Sequence, residues 1–299
     1  MNRKTEAPKS GLILLNKKPG VTSFEALGEV KRALGTGKVG HTGTLDKFAQ
    51  GLLVVLTGRA LRLTPWFSHC DKQYRGRIHF GAETDTLDPE GNVIAEAQPP
   101  SRERAEQAIK TFKGEIMQKP PVFSAIHING QRASKLARSG DVPEMKERPV
   151  TIYNLELEAW DPPFADIFVH CSSGTYIRSL ARDIAMAAGS RAHLSSLTRT
   201  QVAAFSLDMT DNSIPSPRPI DKSVIAALGL PRYEVTPPEA ENISHGKPLA
   251  PILEEKKNFS QNPLSTHNAA DFSAAVFEGE NLIAVVEKIG GVWKYGCVL

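Results

Sequence analysis

Segments 150–160 and 165–172 alternate apolar and polar residues on either side of Asp161-Pro162-Pro163-Phe164. A period of two puts every second side chain on one face, and the short Pro-containing connection turns the chain back, so the pair reads as a β-hairpin. A hairpin of this length needs further strands to join and an apolar layer to cover it. Strand-like runs at 11–16, 51–56, 72–80 and 193–205 supply the sheet. Helices are expected from Thr22 or Ser23 to Leu34, over 59–67, from a Ser101 cap to Phe112, over the basic stretch 132–138, and over 175–188. In the first of these Phe24, Leu27, Val30 and Leu34 form the apolar stripe and Gly35 ends it. Because strands and helices do not alternate regularly, the expected fold class is α+β rather than doubly wound.

Residues 206–222 turn to Pro, Ser and Asp, followed by a short helix near 222–228 and a polar stretch at 251–270. Three strand-like runs close the chain at 272–277, 282–288 and 292–298. The organisation expected is a disordered basic tail (1–10), a large domain (11–210), a linker (211–237) and a small C-terminal domain (238–299). A net charge of +3 hides an asymmetry. The first 80 residues carry 14 Lys and Arg against 5 Asp and Glu; the other 219 carry 22 against 28. Such a basic first quarter on an acidic remainder points to a polyanion-facing surface.

The apolar runs fall short of the ~18 residues a membrane span needs, and no signal-peptide pattern is present, so a cytoplasmic protein is expected. Cys70, Cys171 and Cys297 are widely spaced and form no metal-ligand pattern; reduced thiols are expected, and no metal. Gly35-Thr36-Gly37-Lys38-Val39-Gly40 satisfies GxGxxG, but a helix rather than a strand precedes it, so no dinucleotide site is expected. Residues 84–91 are Asp-rich without EF-hand spacing and read as an ordinary turn.

The stretch 35–51 reads as a long Gly-rich loop, and such loops in compact domains are often functional. Within it Asp46 sits among glycines, five residues after His41, with Leu45, Leu52 and Leu53 able to form a dry wall. A lone loop Asp is most often a turn former. Here the glycines allow close backbone approach to a ligand, and an ionised carboxylate beside a cation can serve as nucleophile or base.

GHTGTLDKFAQGLL (40–53) resembles the catalytic motif of the TruB family of pseudouridine synthases, G-H-x-G-x-L-D-P-x-A-x-G-L-L. Further blocks follow in family order: Gly11 to Lys17 with Gly20 to Ser23; Asp71-Lys72 with Tyr74-Arg75; Gly81 to Gly91; Ser124-Ala125; Gly130 with Arg132; Ala137-Arg138; Arg148 to Tyr153; Cys171 to Arg178; and Leu197 to Thr200. Lys47 and Lys18 replace family prolines, and Phe123 stands where Tyr is common. The resemblance implies a mixed, largely antiparallel central sheet flanked by helices, with a small β-rich PUA-like domain at the C-terminus. It also implies conversion of uridine 55 of tRNA to pseudouridine, without cofactor or metal, by a monomer that needs no protein partner.

By the same resemblance, Asp46 is the nucleophile, attacking uracil C6 or ribose C1′, and Arg178 the cation that holds it. Tyr74 stacks on the extruded base, and Tyr176 lies beside the sugar. His41 enters the RNA loop, Leu197 touches the base, and Lys17 supports the site. The T-arm is bound by a basic face drawn from Lys31, Arg32, Lys38, Lys47, Arg59, Arg62, Lys72, Arg75 and Arg77, with Lys135 and Arg138 on a segment that closes over the RNA. Rival readings are a non-catalytic tRNA binder and a guide-RNA-dependent synthase.

Overall fold

The computed structural model describes residues 10–128, 130–141, 143–211, 216–254, 256 and 271–299; the basic tail lies outside them except for Ser10. Seven strands form the path of the main sheet: β1 (Gly11–Lys17), β2 (Gln50–Thr57), β3 (Lys72–Phe80), β4 (Gly114–Gln118), β5 (Arg148–Asp161), β6 (Phe164–Cys171) and β7 (Ala192–Val202). Their order is β1-β2-β7-β3-β6-β5-β4, and every pairing is antiparallel except β7 with β2. Two short strands, Val39–His41 and Phe205–Ser206, extend it to nine. The fold is α+β with a mixed, mainly antiparallel sheet. The hairpin is tighter than its sequence indicates, because Asp161 already pairs with Phe164.

Helices α1 (Ser23–Leu34), α2 (Arg102–Thr111) and α3 (Ile177–Ala187) pack on the sheet. Thr22 and Glu25 form a capping box at the start of α1, and Gly35 ends it in the left-handed region. The stripe expected on α1 is shifted: Ala26, Leu27 and Val30 are buried, whereas Phe24 is 72% exposed. Phe24 lies in the first turn, where Ser23 takes the inward place and bonds to the Leu45 backbone. The loop expected over 35–51 contains a strand, because Val39–His41 pairs with β2. The helix expected over 59–67 is a 3₁₀ turn, Gly58–Leu63, followed by Thr64–Ser68.

A second sheet holds β8 (Arg232–Glu234), β9 (Phe272–Glu278), β10 (Asn281–Ile289) and β11 (Val292–Val298), covered by α4 (Pro237–Ser244) and Ala250–Leu253. The segment expected as a linker therefore contains the helix Lys222–Ala227 and one strand of this sheet. The two sheets share an apolar layer in which Val285 and Cys297 meet Leu12, Leu52 and Phe67. Arg62 donates to the Val298 carbonyl, and Gly296 sits close against the Trp66 ring, leaving no room for a Cβ.

At Gly51, β2 runs close against β7. The Gly51 φ is +102°, and a Cβ there would collide with the Arg199 backbone. Gly51→Ala is expected to lower unfolding free energy by about 3 kcal/mol, from strain plus overpacking, as read by urea denaturation.

Candidate functional site

The loop from Thr42 to Ala49 carries Asp46 and is anchored at several points. Ser23 Oγ accepts from the Leu45 amide (2.9 Å) and donates to the Leu45 carbonyl (3.0 Å). The Gly20 amide donates to the Lys47 carbonyl, and Lys17 Nζ reaches the carbonyls of Lys18, Val21 and Lys47. Leu45 and Ala49 are buried in the core on either side of Asp46. The backbone is thereby fixed while the carboxylate remains partly open, 36% exposed.

Arg178, on the first turn of α3, faces it from the other side of the cavity and is 3% exposed. Its Nη2 donates to Asp46 Oδ1 at 3.0 Å and to the Phe123 carbonyl at 3.0 Å. Nε lies 2.8 Å from Asp46 Oδ2, close but not aligned as a hydrogen-bond donor. Nη1 donates to the Thr86 carbonyl (2.7 Å) and to Asp88 Oδ2 (3.3 Å). One guanidinium thus joins two carboxylates, Asp46 open to the cavity and Asp88 behind it. Burial pushes the Asp88 carboxyl above its ordinary range, against the Thr86 hydroxyl and Arg178, which favour the ionised form. Asp88 follows Leu87, a buried non-glycine residue at φ +61°, and its Oδ1 accepts from the Thr86 hydroxyl and the Glu90 amide. The turn expected at 84–91 is present, and it also has this role at the site.

The cavity has a volume of about 330 Å³ and is lined in part by Asp46, Tyr74, Tyr176, Arg178, Leu197 and Arg199. The structure brings together the four residues expected to carry chemistry and the expected base contact. Tyr74, on β3, pairs across the sheet with Arg199 of β7. Burial pushes its phenol up to about 12, so it stays protonated near neutrality. Tyr176 is fixed through its backbone by Gln118, which accepts from its N–H at 2.8 Å and donates to its C=O at 3.1 Å. The Arg148 guanidinium lies over its ring, 5.1 Å from the centroid.

The other expected substrate contacts, Lys17, His41, Lys47, Arg59 and Arg62, do not line the cavity. Lys17 is 1% exposed and tied to carbonyls, so it braces the loop, and burial lowers its pKa to about 8. His41 is half-buried, and burial with the Arg199 charge lowers its pKa, so the ring is neutral near pH 7. Lys47 pairs with Glu90 at 3.2 Å. Arg59 is exposed away from the cavity, and Arg62 binds the C-terminal strand. Three further members of the basic face are engaged: Arg75 with Glu158, Arg77 with Asp161 and Asp166, and Lys72, which lines the cavity but is buried with its ammonium on two carbonyls. The sequence reading gave no role to Arg199, Asp88, Arg148 or Gln118. Arg199 had a signal: on a strand it shares a face with apolar Leu197, and a cation facing the core requires a reason.

Residues 31–177 match the family described as "TruB family pseudouridylate synthase (N terminal domain)". The chain is 46% identical over 202 residues to the tRNA pseudouridine synthase B of Borreliella burgdorferi (strain ATCC 35210), covering 67% of this chain and 72% of that one. It is 41% identical over 254 residues to the tRNA pseudouridine synthase B of Mycobacterium sp. (strain KMS), covering 81% and 84%. Among solved structures it resembles a chain from a Cbf5-Nop10-Gar1 complex, with a TM-score of 0.68 at 25% identity, covering 93% of this chain and 78% of that one.

Proposed function

The chain belongs to the TruB family of pseudouridylate synthases, and from that premise we propose that it converts uridine 55, in the T-loop of tRNA, to pseudouridine with Asp46 as nucleophile. The observation that carries this reading is the Asp46–Arg178 pair at the mouth of a cavity walled by Tyr74 and Leu197. The guanidinium aims the carboxylate through a directed, charge-assisted pair without losing its own proton. The flipped uracil stacks on Tyr74, which returns about 1–3 kcal/mol toward the cost of unstacking it from the RNA. His41, neutral and planar, fills the gap left in the loop. Tyr176 lies beside the ribose. Residues 11–210 are assigned as the catalytic domain, and the unit built on the second sheet, from Arg232 onward, as a PUA-like RNA-binding domain. We propose a monomer without cofactor.

Release of tritium from C5 of a labelled T-stem-loop RNA tests the activity; no release from that RNA would end the proposal. The RNA face is tested separately. Affinity should fall steeply as salt rises, and Lys47→Glu should weaken RNA binding about tenfold by gel shift. Arg62→Glu is expected to lower the melting temperature, because its partner is the Val298 carbonyl, while RNA affinity changes little.

A further inference from the structure

Arg199 is a cation lining the cavity whose role is not explained by the pair that holds Asp46. It is 2% exposed, and among the described residues no carboxylate lies within ion-pair distance of it. Its partners are neutral: Nε donates to the Leu52 carbonyl at 2.7 Å and Nη2 to the Gly43 carbonyl at 3.1 Å. Burying a guanidinium without an anion is expensive, so proteins do it rarely. The charge is felt around the cavity: it favours proton loss from Lys17, His41, Lys72 and Tyr74 alike. Arg178, by contrast, is balanced by two carboxylates.

The place of Arg199 relative to the base follows from the sheet. Leu197 and Arg199 share a face of β7, and Arg199 is the cross-strand partner of Tyr74. Tyr74 and Leu197 are the two walls assigned to the uracil. Nη1 is not bound to either carbonyl.

We propose that Arg199 is a catalytic residue that stabilises the negative charge the uracil carries in the intermediate. The argument rests on the reading of the site given above, but not on which carbon is attacked. If an Asp46 oxygen bonds to C6, the C5–C6 π pair moves toward C4 and the charge resides on C5 and O4. If it bonds to C1′, the C1′–N1 bond breaks and its pair stays on N1, shared with O2 and O4. Both routes place an anion on the uracil, and a preorganised cation in a water-poor pocket is worth more there than in water.

The test compares uridine with 5-fluorouridine at the target position of a T-stem-loop RNA, following disappearance of the target nucleoside in single turnover. Fluorine withdraws electrons and stabilises the same anion, so it should compensate for a missing cation. Arg199→Gln is expected to slow uridine conversion about 100-fold with RNA Kd within about threefold of wild type. With 5-fluorouridine the deficit should shrink at least tenfold. Because both rates come from one preparation, their ratio is independent of the fraction folded. Equal deficits on the two RNAs, or a loss carried by Kd, would overturn the proposal and leave Arg199 as a strut for Gly43. If Arg199→Gln does not fold, Arg199→Lys decides: it should lose rate rather than affinity, and the reverse overturns the idea. Failure of the wild type on uridine would instead sink the assigned reaction.

Discussion

Asp46→Asn is expected to reduce tritium release by about 10⁴-fold or more, the scale seen when a nucleophile is removed. The structure predicts that this loss will not be accompanied by unfolding. The Asp46 carboxylate is 36% exposed, and its backbone is held by Ser23, Gly20 and Lys17 rather than by its own side chain. When its charge is removed, Arg178 keeps Asp88 and the carbonyls of Thr86 and Phe123. Stability should therefore drop by about 1 kcal/mol at most, and RNA affinity should hold, because Asn fills the same volume. A variant that retains a tenth of the activity would mean another group makes the bond. A variant inactive because it unfolds would mean the loop is less well anchored than its hydrogen bonds indicate.

The parts of this site that were legible in the sequence follow from local rules. Strand alternation located β3, β5 and β6, and the order of elements excluded a doubly wound sheet. The Asp46 loop stood out by its glycines and, through resemblance, by its motif. Less legible was whatever depends on the partner brought by the fold. Asp88 looked like a turn residue because its turn chemistry is real: Oδ1 accepts from the Glu90 amide and the Thr86 hydroxyl. Only the packing of α3 reveals that its other oxygen faces Arg178. Arg75 and Arg77 looked like an RNA surface because their acidic partners come from β5 and β6, some 80 residues away. Phe24 fitted a helical period and yet points to solvent. Charge in a sequence gives the number of cations and not which of them are already paired.

That distinction is sharpest at Arg178, where removal should affect both stability and rate. Arg178→Leu leaves Asp88, whose side chain is 7% exposed, without a cation. It also removes the donors to the Thr86 and Phe123 carbonyls. Breaking one side of a buried pair costs about 3–5 kcal/mol, and a melt should show it. The pH dependence has a definite sign. Burial already raises the Asp88 pKa above the ordinary 3.8, and loss of Arg178 raises it further. The folded variant then binds a proton that the unfolded chain releases. Its deficit against wild type should therefore shrink as pH falls and be fully felt above the folded pKa. Asp88→Asn added to Arg178→Leu removes the orphaned charge and should recover most of the lost stability at pH 8. It should recover none of the activity, since Asp46 still lacks the guanidinium that aims it. If the double variant is no more stable than Arg178→Leu, the cost lies in the unmade carbonyl bonds and not in the buried carboxylate. If activity returns along with stability, Arg178 serves the fold and the nucleophile needs no cation.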